Sequence, residues 1–204
     1  MVEWPFLANN GGTDEAKAAL RIELRSALDR VDEADRSRAS ARVSQRLKAA
    51  GPVREATVIA GYWPVGWELD LSPLFTDWGN DGKRVCLPRW RAEEGDYEFA
   101  RFTCQEDLVR GPFGIREPGA HCPSVAVRDL DLILVPGLAF SPGGDRLGRG
   151  RGFYDRLLAG IRAGLCGVCY DFQLRDNIPH DERDQRMNDV VSPSQWHTAA
   201  GGLS

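Results

Sequence analysis

The sequence predicts an α/β fold: a three-layer, Rossmann-like domain with a central mostly parallel sheet, helices on both faces and an N-terminal helical hairpin. Two observations predict the sheet. Short apolar runs such as LILVP (132–136) lack the polar alternation of a half-exposed strand, which suits a sheet covered on both sides. The run LILVP is followed by a glycine-rich stretch, a helical pattern FYDRLLAGIRAG and a further apolar run, the order of a βαβ unit. A third observation predicts the hairpin: Leu20, Leu24 and Leu28 recur every fourth residue, one stripe of a helix.

In chain order, residues 1–12 (MVEWPFLANNGG) read as a disordered tail with neither a basic leader nor an apolar core of a signal peptide. Thr13 is a suitable N-cap, with Asp14 and Glu15 favoured at the positive end of a helix dipole, so the first helix is expected from Thr13 to about Arg30. Lys17, Arg21 and Arg25 share the leucines' spacing on a neighbouring face. A second, strongly polar helix follows from Glu33 to about Ala50, turning Val43 and Leu47 inward. After Gly51-Pro52 come the strands TVIAGY (57–62), RVCLP (84–88), YEFARF (97–102), LILVP and LCGVCY (165–170). PFGIREPGAHCP (112–123) reads as a surface loop, and Gly164 as the stop of the last helix.

Composition narrows the function. The chain has 204 residues, a net charge of −4 and 42% hydrophobic residues, so it is an ordinary globular sequence and not a nucleic-acid coat. No run reaches the ~18 apolar residues of a membrane span, and a cytoplasmic protein acting as a monomer is expected. Five cysteines, an odd number, argue against a disulfide framework. Cys166-Gly-Val-Cys169 has CxxC spacing, but residues three apart on a strand face opposite ways. With three scattered histidines and no second CxxC, these are read as buried thiols rather than a zinc or redox site.

The chemistry concentrates in GGDRLGRGRGFYDRLL (143–158), with five glycines and four arginines. In an open α/β sheet, ligands bind outside the carboxyl ends of the strands, and this loop follows one. Gly148, Gly150 and Gly152 let backbone N–H groups approach an anion. Arg146, Arg149 and Arg151 can fork onto phosphate oxygens. Asp155, in the first turn of the next helix, is either a helix-start residue or a Mg²⁺ ligand.

Taken together, LILVPGLAFSPGGDRLGRGRGFYDRLL resembles the signature of the 5-formyltetrahydrofolate cyclo-ligases, also called methenyltetrahydrofolate synthetases. Lys17-Ala-Ala-Leu-Arg21, GYWPVGWELD (61–70), GPFGIREP (111–118) and IPHDERDQRMNDVVS (178–192) are similar to further segments of that family, in the same order. The resemblance implies one cyclo-ligase-like domain over residues 13–204. It also implies an ATP- and Mg²⁺-dependent ligase that closes 5-formyltetrahydrofolate to 5,10-methenyltetrahydrofolate through a phosphorylated formyl group. By the same resemblance, ATP would be bound by Lys17, Arg21, Arg146, Gly148, Arg149, Gly150, Arg151, Gly152, Phe153 and Tyr154. Arg149, Arg151 and Tyr154 would act on the transferring group, and Asp155 and Asp184 would hold Mg²⁺. Glu68 and Trp63, with Arg149 and Tyr154, would hold the folate. Tyr62, Trp67, Phe140 and Phe153 are further candidate walls for its rings. Arg183, Asn188 and Ser192 depart from the family's His, Asp and Thr at those places, so a paralogue that binds folate or nucleotide without catalysis is the alternative.

Overall fold

The computed structural model describes residues 11–150, 152–180 and 184–199. Most of the expected tail, together with Arg151 and Arg183, lies outside the described residues. Four helices precede or interleave with the first strands: α1 (Gly11–Leu28), α2 (Glu33–Ala49), α3 (Gly51–Glu55) and, after β1 (Val58–Ala60), α4 (Ser72–Asn80). Strands β2 (Arg84–Arg91) and β3 (Asp96–Phe102) form a hairpin. They are followed by the ribbon of β4 (Leu108–Arg110) with β5 (Arg116–Pro118), and by the short β6 (Ser124–Val125). Then come β7 (Leu132–Pro136), the ribbon of β8 (Ala139–Phe140) with β9 (Arg146–Leu147), and α5 (Phe153–Leu157). The chain closes with β10 (Gly164–Val168), β11 (Asp189–Val191) and β12 (Trp196–Thr198).

The main sheet has eight strands in the order β12-β11-β10-β7-β1-β2-β3-β6. From β11 to β2 all neighbours are parallel, and β12, β3 and β6 add antiparallel edges. The sequence accounts for the parallel centre: every residue of β7 and β10 is buried, and such strands are stable only with both faces covered. One face packs against α1–α4 through Leu24, Leu28, Val43, Leu47, Phe75 and Trp78. The other carries Ile133, Val135, Phe140, Leu157, Leu158 and Val190. Helices thus lie on both faces, but the second face is covered by one turn of helix and by loops.

Several local expectations change. Residues 11 and 12 are already helical, so Thr13 stands inside α1 and does not cap it. Asp32 caps α2, its carboxylate accepting the Asp35 N–H at 2.7 Å. α5 stops at Leu157 rather than at Gly164, which begins β10; Gly160, at φ 72°, turns the chain in the left-handed region. Residues 112–123 are not a plain surface loop, because β5 pairs with β4 and buries Glu117 and Pro118. Cys166 and Cys169 are free thiols in the two separate core clusters, one on each side of the sheet. Among the described residues, no helix is long and apolar enough to cross a membrane.

Candidate active site

β1 and β7 are parallel neighbours from which the chain departs in opposite directions across the sheet. Such a switch point opens a crevice at the strands' carboxyl ends. A cleft of about 550 Å³ lies there, lined by the segment after β1 and by the loop after β7. Tyr62, Trp63, Trp67 and Glu68 come from the first; Arg146, Gly148, Arg149, Gly150, Gly152 and Phe153 to Asp155 come from the second. The β2–β3 hairpin adds Pro88 and Tyr97, and the β4–β5 ribbon adds Arg116 and Glu117.

The glycine-rich loop is more structured than its composition suggests. Its first half folds back as β8–β9, where Leu138 N–H reaches Leu147 O at 2.7 Å. Ser141 Oγ and the Asp145 carboxylate lock the tip at 2.9 Å. β9 carries Arg146 inward to 5% exposure. Its Nη2 donates to Asp155 Oδ1, its Cζ lies 5.7 Å from the centre of the Tyr154 ring, and its Nε has no partner among the described residues. A buried N–H group without a partner is rare and points to a ligand or water. Gly150, at φ 97°, has Arg21 packed on it, and a Cβ there would lie 3.5 Å from Arg21 Nε. α5 is a single turn, so the positive character of the loop rests on guanidinium groups more than on aligned peptide dipoles.

Glu68 and Glu117 are both buried carboxylates of the cleft lining, each at 7% exposure, and Glu68 is the one beside the glycine-rich loop. Glu68 Oε2 accepts the Val65 N–H at 2.9 Å, and Glu68 Oε1 accepts a hydrogen bond from Arg149 Nη2 at 2.6 Å. Arg149 in turn lies over the Trp67 ring, 4.8 Å from its centre, a cation–π contact. Burial pushes the Glu68 carboxyl above the usual carboxylate range, while Arg149 and the Val65 N–H pull it back. Burial likewise raises Tyr154, with the Glu68 charge adding to it, so its hydroxyl stays protonated as a donor. Glu117, also raised by burial, accepts the Trp90 N–H at 3.1 Å.

α1 closes the far side of the loop. Arg21 Nε donates to Gly148 O at 3.1 Å and Arg25 Nη2 to Arg149 O at 3.1 Å. Lys17, buried although basic, donates to Asp184 Oδ2 at 2.6 Å. The structure therefore gathers Glu68, Trp63, Arg146, Gly148 to Gly150 and Gly152 to Asp155 around one cleft. Lys17, Arg21 and Asp184 stand outside its lining, with Arg21 touching the loop from behind. Arg151 lies outside the described residues. Phe140 is fully buried in the core, so it is no ring wall. Phe153 packs edge-on against Trp90 and Tyr97 at the mouth. Arg25 and Arg116 are cleft residues that sequence reasoning did not select, although Arg25 sits one helical turn beyond Arg21. The departures at Asn188 and Ser192 serve the frame: Asn188 Oδ1 accepts the Leu165 N–H at 2.8 Å, and Ser192 Oγ donates to Asp171 at 2.5 Å.

Comparison with known proteins gives one answer. Residues 13–193 match the family model of the 5-formyltetrahydrofolate cyclo-ligase family. A 5-formyltetrahydrofolate cyclo-ligase of Escherichia coli strain K12 is 34% identical over 155 residues, covering 74% of this chain and 85% of its own. The enzyme of that name from Mus musculus is 27% identical over 190 residues, 87% of this chain and 94% of its own. The solved 5,10-methenyltetrahydrofolate synthetase of Aquifex aeolicus is similar with a TM-score of 0.82 and 32% identity, over 92% of this chain and 95% of that one.

Proposed function

Because the chain belongs to the 5-formyltetrahydrofolate cyclo-ligase family, we propose that it converts 5-formyltetrahydrofolate and ATP to 5,10-methenyltetrahydrofolate, ADP and phosphate. The supporting observation is the Arg149–Glu68 contact of 2.6 Å, which joins a buried carboxylate beside Trp63 and Trp67 to the basic glycine loop in one cleft. The carboxylate end suits the amino and N–H donors of a pterin ring, and the loop end suits phosphates.

The reaction requires the formyl oxygen to leave. Transfer of the terminal phosphoryl group of ATP to that oxygen forms one O–P bond and releases ADP. N10 then attacks the formyl carbon, the C–O bond breaks with phosphate as leaving group, and N10 gives up its proton. The second step is intramolecular, so holding N10 against the formyl carbon supplies much of the rate. The first depends on positioning and positive charge. Arg149 would turn from Glu68 to the transferring phosphoryl group, with Arg146 behind it. Arg151 and the loop amides from Gly148 to Gly152 would join them on the phosphates. Tyr154, kept protonated, would donate to an oxygen of the transferring group. Lys17 and Arg21 would steady the nucleotide from α1, and Phe153 would close the mouth.

Asp155 fits Mg²⁺: it is a hard oxygen donor that lines the cleft, 29% exposed, with Oδ1 on Arg146, and nucleotide phosphates and water would supply the remaining ligands. Asp184 would join it only as Lys17 moves toward phosphate. Bound there, the metal would neutralise charge on the nucleotide. We further propose that the protein is a monomeric cytoplasmic enzyme whose single domain spans residues 13–204. The testing experiment mixes the folded protein with MgATP and 5-formyltetrahydrofolate and follows near-ultraviolet absorbance. Methenyl product appearing with ADP, and only with ATP, is the expected result; ligand binding without turnover would instead establish the non-catalytic paralogue.

A further inference from the structure

Away from the cleft, the β4–β5 ribbon ends in a cluster that the reaction does not use. Asp107 directly precedes β4 and Gly119 directly follows β5, and the register Leu108↔Pro118 brings them together, with Gly119 N–H on Asp107 O at 2.8 Å. The chain then turns, Cys122 N–H reaching Gly119 O at 2.9 Å, and lays His121 and Cys122 back over Asp107. Glycine at 119 lets the ring come close: a Cβ there would lie 2.9 Å from the His121 ring, which would have to shift. Arg89 Nη1 fixes the turn from below, donating to Gly119 O and Cys122 O at 2.8 Å each.

The three side chains converge. Asp107 Oδ2 accepts the Thr103 and Cys104 N–H groups at 2.9 and 3.2 Å, which aims Oδ1 at His121 Nε2, 3.3 Å away. Cys122 Sγ stands 3.5 Å from the same Nε2. All the donor atoms lie within 4.8 Å of one another. A Cys-His-Asp relay of the catalytic kind would use both ring nitrogens, one for sulfur and one for carboxylate. Here a single nitrogen faces both, and one N–H can serve only one of them.

A cation serves all three. With zinc bonds of about 2.0–2.1 Å to N, 2.0–2.2 Å to O and 2.3 Å to S, tetrahedral angles put N and O about 3.4 Å apart and N and S about 3.6 Å apart. The observed separations are 3.3 and 3.5 Å. We propose that Asp107, His121 and Cys122 form a binding site for Zn²⁺ or a similar borderline-soft divalent ion. Its fourth position faces solvent on the side of His121, whose side chain is 64% exposed. The thiolate in the set selects against Mg²⁺ and Ca²⁺. Binding replaces the Cys122 S–H proton with the metal and clips the turn onto the ribbon two residues beyond the cleft residue Glu117.

The test uses the full chain, stripped by chelator and titrated with Co²⁺. One equivalent is expected to give a thiolate-to-cobalt charge-transfer band in the near ultraviolet with visible d–d bands of a tetrahedral ion, and Zn²⁺ should displace both. Cys122→Ser should abolish the charge-transfer band, and His121→Ala, a change at an exposed ring, should weaken Co²⁺ binding by about tenfold or more. Zn²⁺ should raise Tm of the unmodified chain but not of His121→Ala. Absence of the band at one equivalent, or its persistence in Cys122→Ser, overturns the site. So does equal affinity of His121→Ala and the parent chain.

Discussion

Replacing Arg149 with alanine should separate catalysis from stability. The side chain is 43% exposed, so its pair with Glu68 is partly screened by water. Breaking a fully buried pair costs about 3–5 kcal/mol, but Glu68 already has its affinity for a proton raised by burial and can neutralise itself. The contact with Trp67 adds about 0.5–1 kcal/mol. A total near 1–2 kcal/mol follows, a fall in Tm of about 2–8 °C for a chain of this length. The effect on rate should be far larger. A guanidinium that meets charge developing on a transferring phosphoryl group is worth about 10²–10³-fold or more in kcat. Thermal melting and methenyl formation measured on the same preparation give both quantities. Arg149→Lys keeps the charge but loses the fork, and should recover only part of the rate. An Arg149→Ala enzyme with a third of parental kcat, or one that does not fold, would refute the assignment.

Asp155→Asn should raise the Mg²⁺ concentration needed for half-maximal rate and lower Tm more than Arg149→Ala does, since buried Arg146 loses its charged partner; an unchanged metal titration removes Asp155 from the site. Lys17→Met should raise KM for ATP about tenfold with a smaller change in kcat; unchanged ATP kinetics would remove Lys17 from the nucleotide site. Glu68→Gln should show a pH signature. Because the folded protein holds this carboxyl above its ordinary value of 4.5, its protonated form is the one that favours folding. That contribution is present below the ordinary value and lost as pH rises through the raised one. The variant should therefore gain stability relative to the parent across this window in urea melts, while substrate binding weakens. A pH-independent difference would contradict the burial argument.

Legibility followed periodicity. The leucine stripe of α1 and the apolar runs of β7 and β10 carry their structure in local pattern: β7 has the expected bounds, α1 runs from 11 to 28 rather than 13 to 30, and β10 runs from 164 to 168 rather than 165 to 170. α3 and several strands of two or three residues, among them β4, β5, β6, β8, β9, β11 and β12, are too short for a period to register. They exist because tertiary neighbours supply the hydrogen bonds. The end of α5 is not legible because the apolar residues after Leu157 suit a longer helix, whereas Gly160 can leave the helical region without strain. In the site, the glycine–arginine loop could be read from residue chemistry alone. Glu68 could not: a single acidic residue after a strand looks like surface, and only the fold buries it beside Arg149. Phe140 shows the converse, an aromatic read as a ring wall that fills the core against Gly137 and Gly167.

Among the described residues, five basic side chains in or behind this cleft have partners within the chain, and that determines how they can act. Arg149 rests on Glu68, Arg146 on Asp155 and Lys17 on Asp184, while Arg21 and Arg25 hold backbone carbonyls of the loop. A chain with net charge −4 thus keeps its basic groups folded and positioned by lending each an acidic or carbonyl partner. On the proposed function, substrate binding is an exchange. Phosphate oxygens take the guanidinium groups, and the released Glu68 meets the ring donors of the folate. Two hydrogen-bonding demands are then met by one rearrangement, so the buried Glu68 is left unpaired in neither state. The exchange also couples the two ligands: a phosphate that draws Arg149 away leaves Glu68 in need of a donor, which the folate ring supplies. Nucleotide and folate should accordingly bind more tightly together than apart, and Glu68→Gln should diminish that cooperativity more than it diminishes the affinity for nucleotide alone.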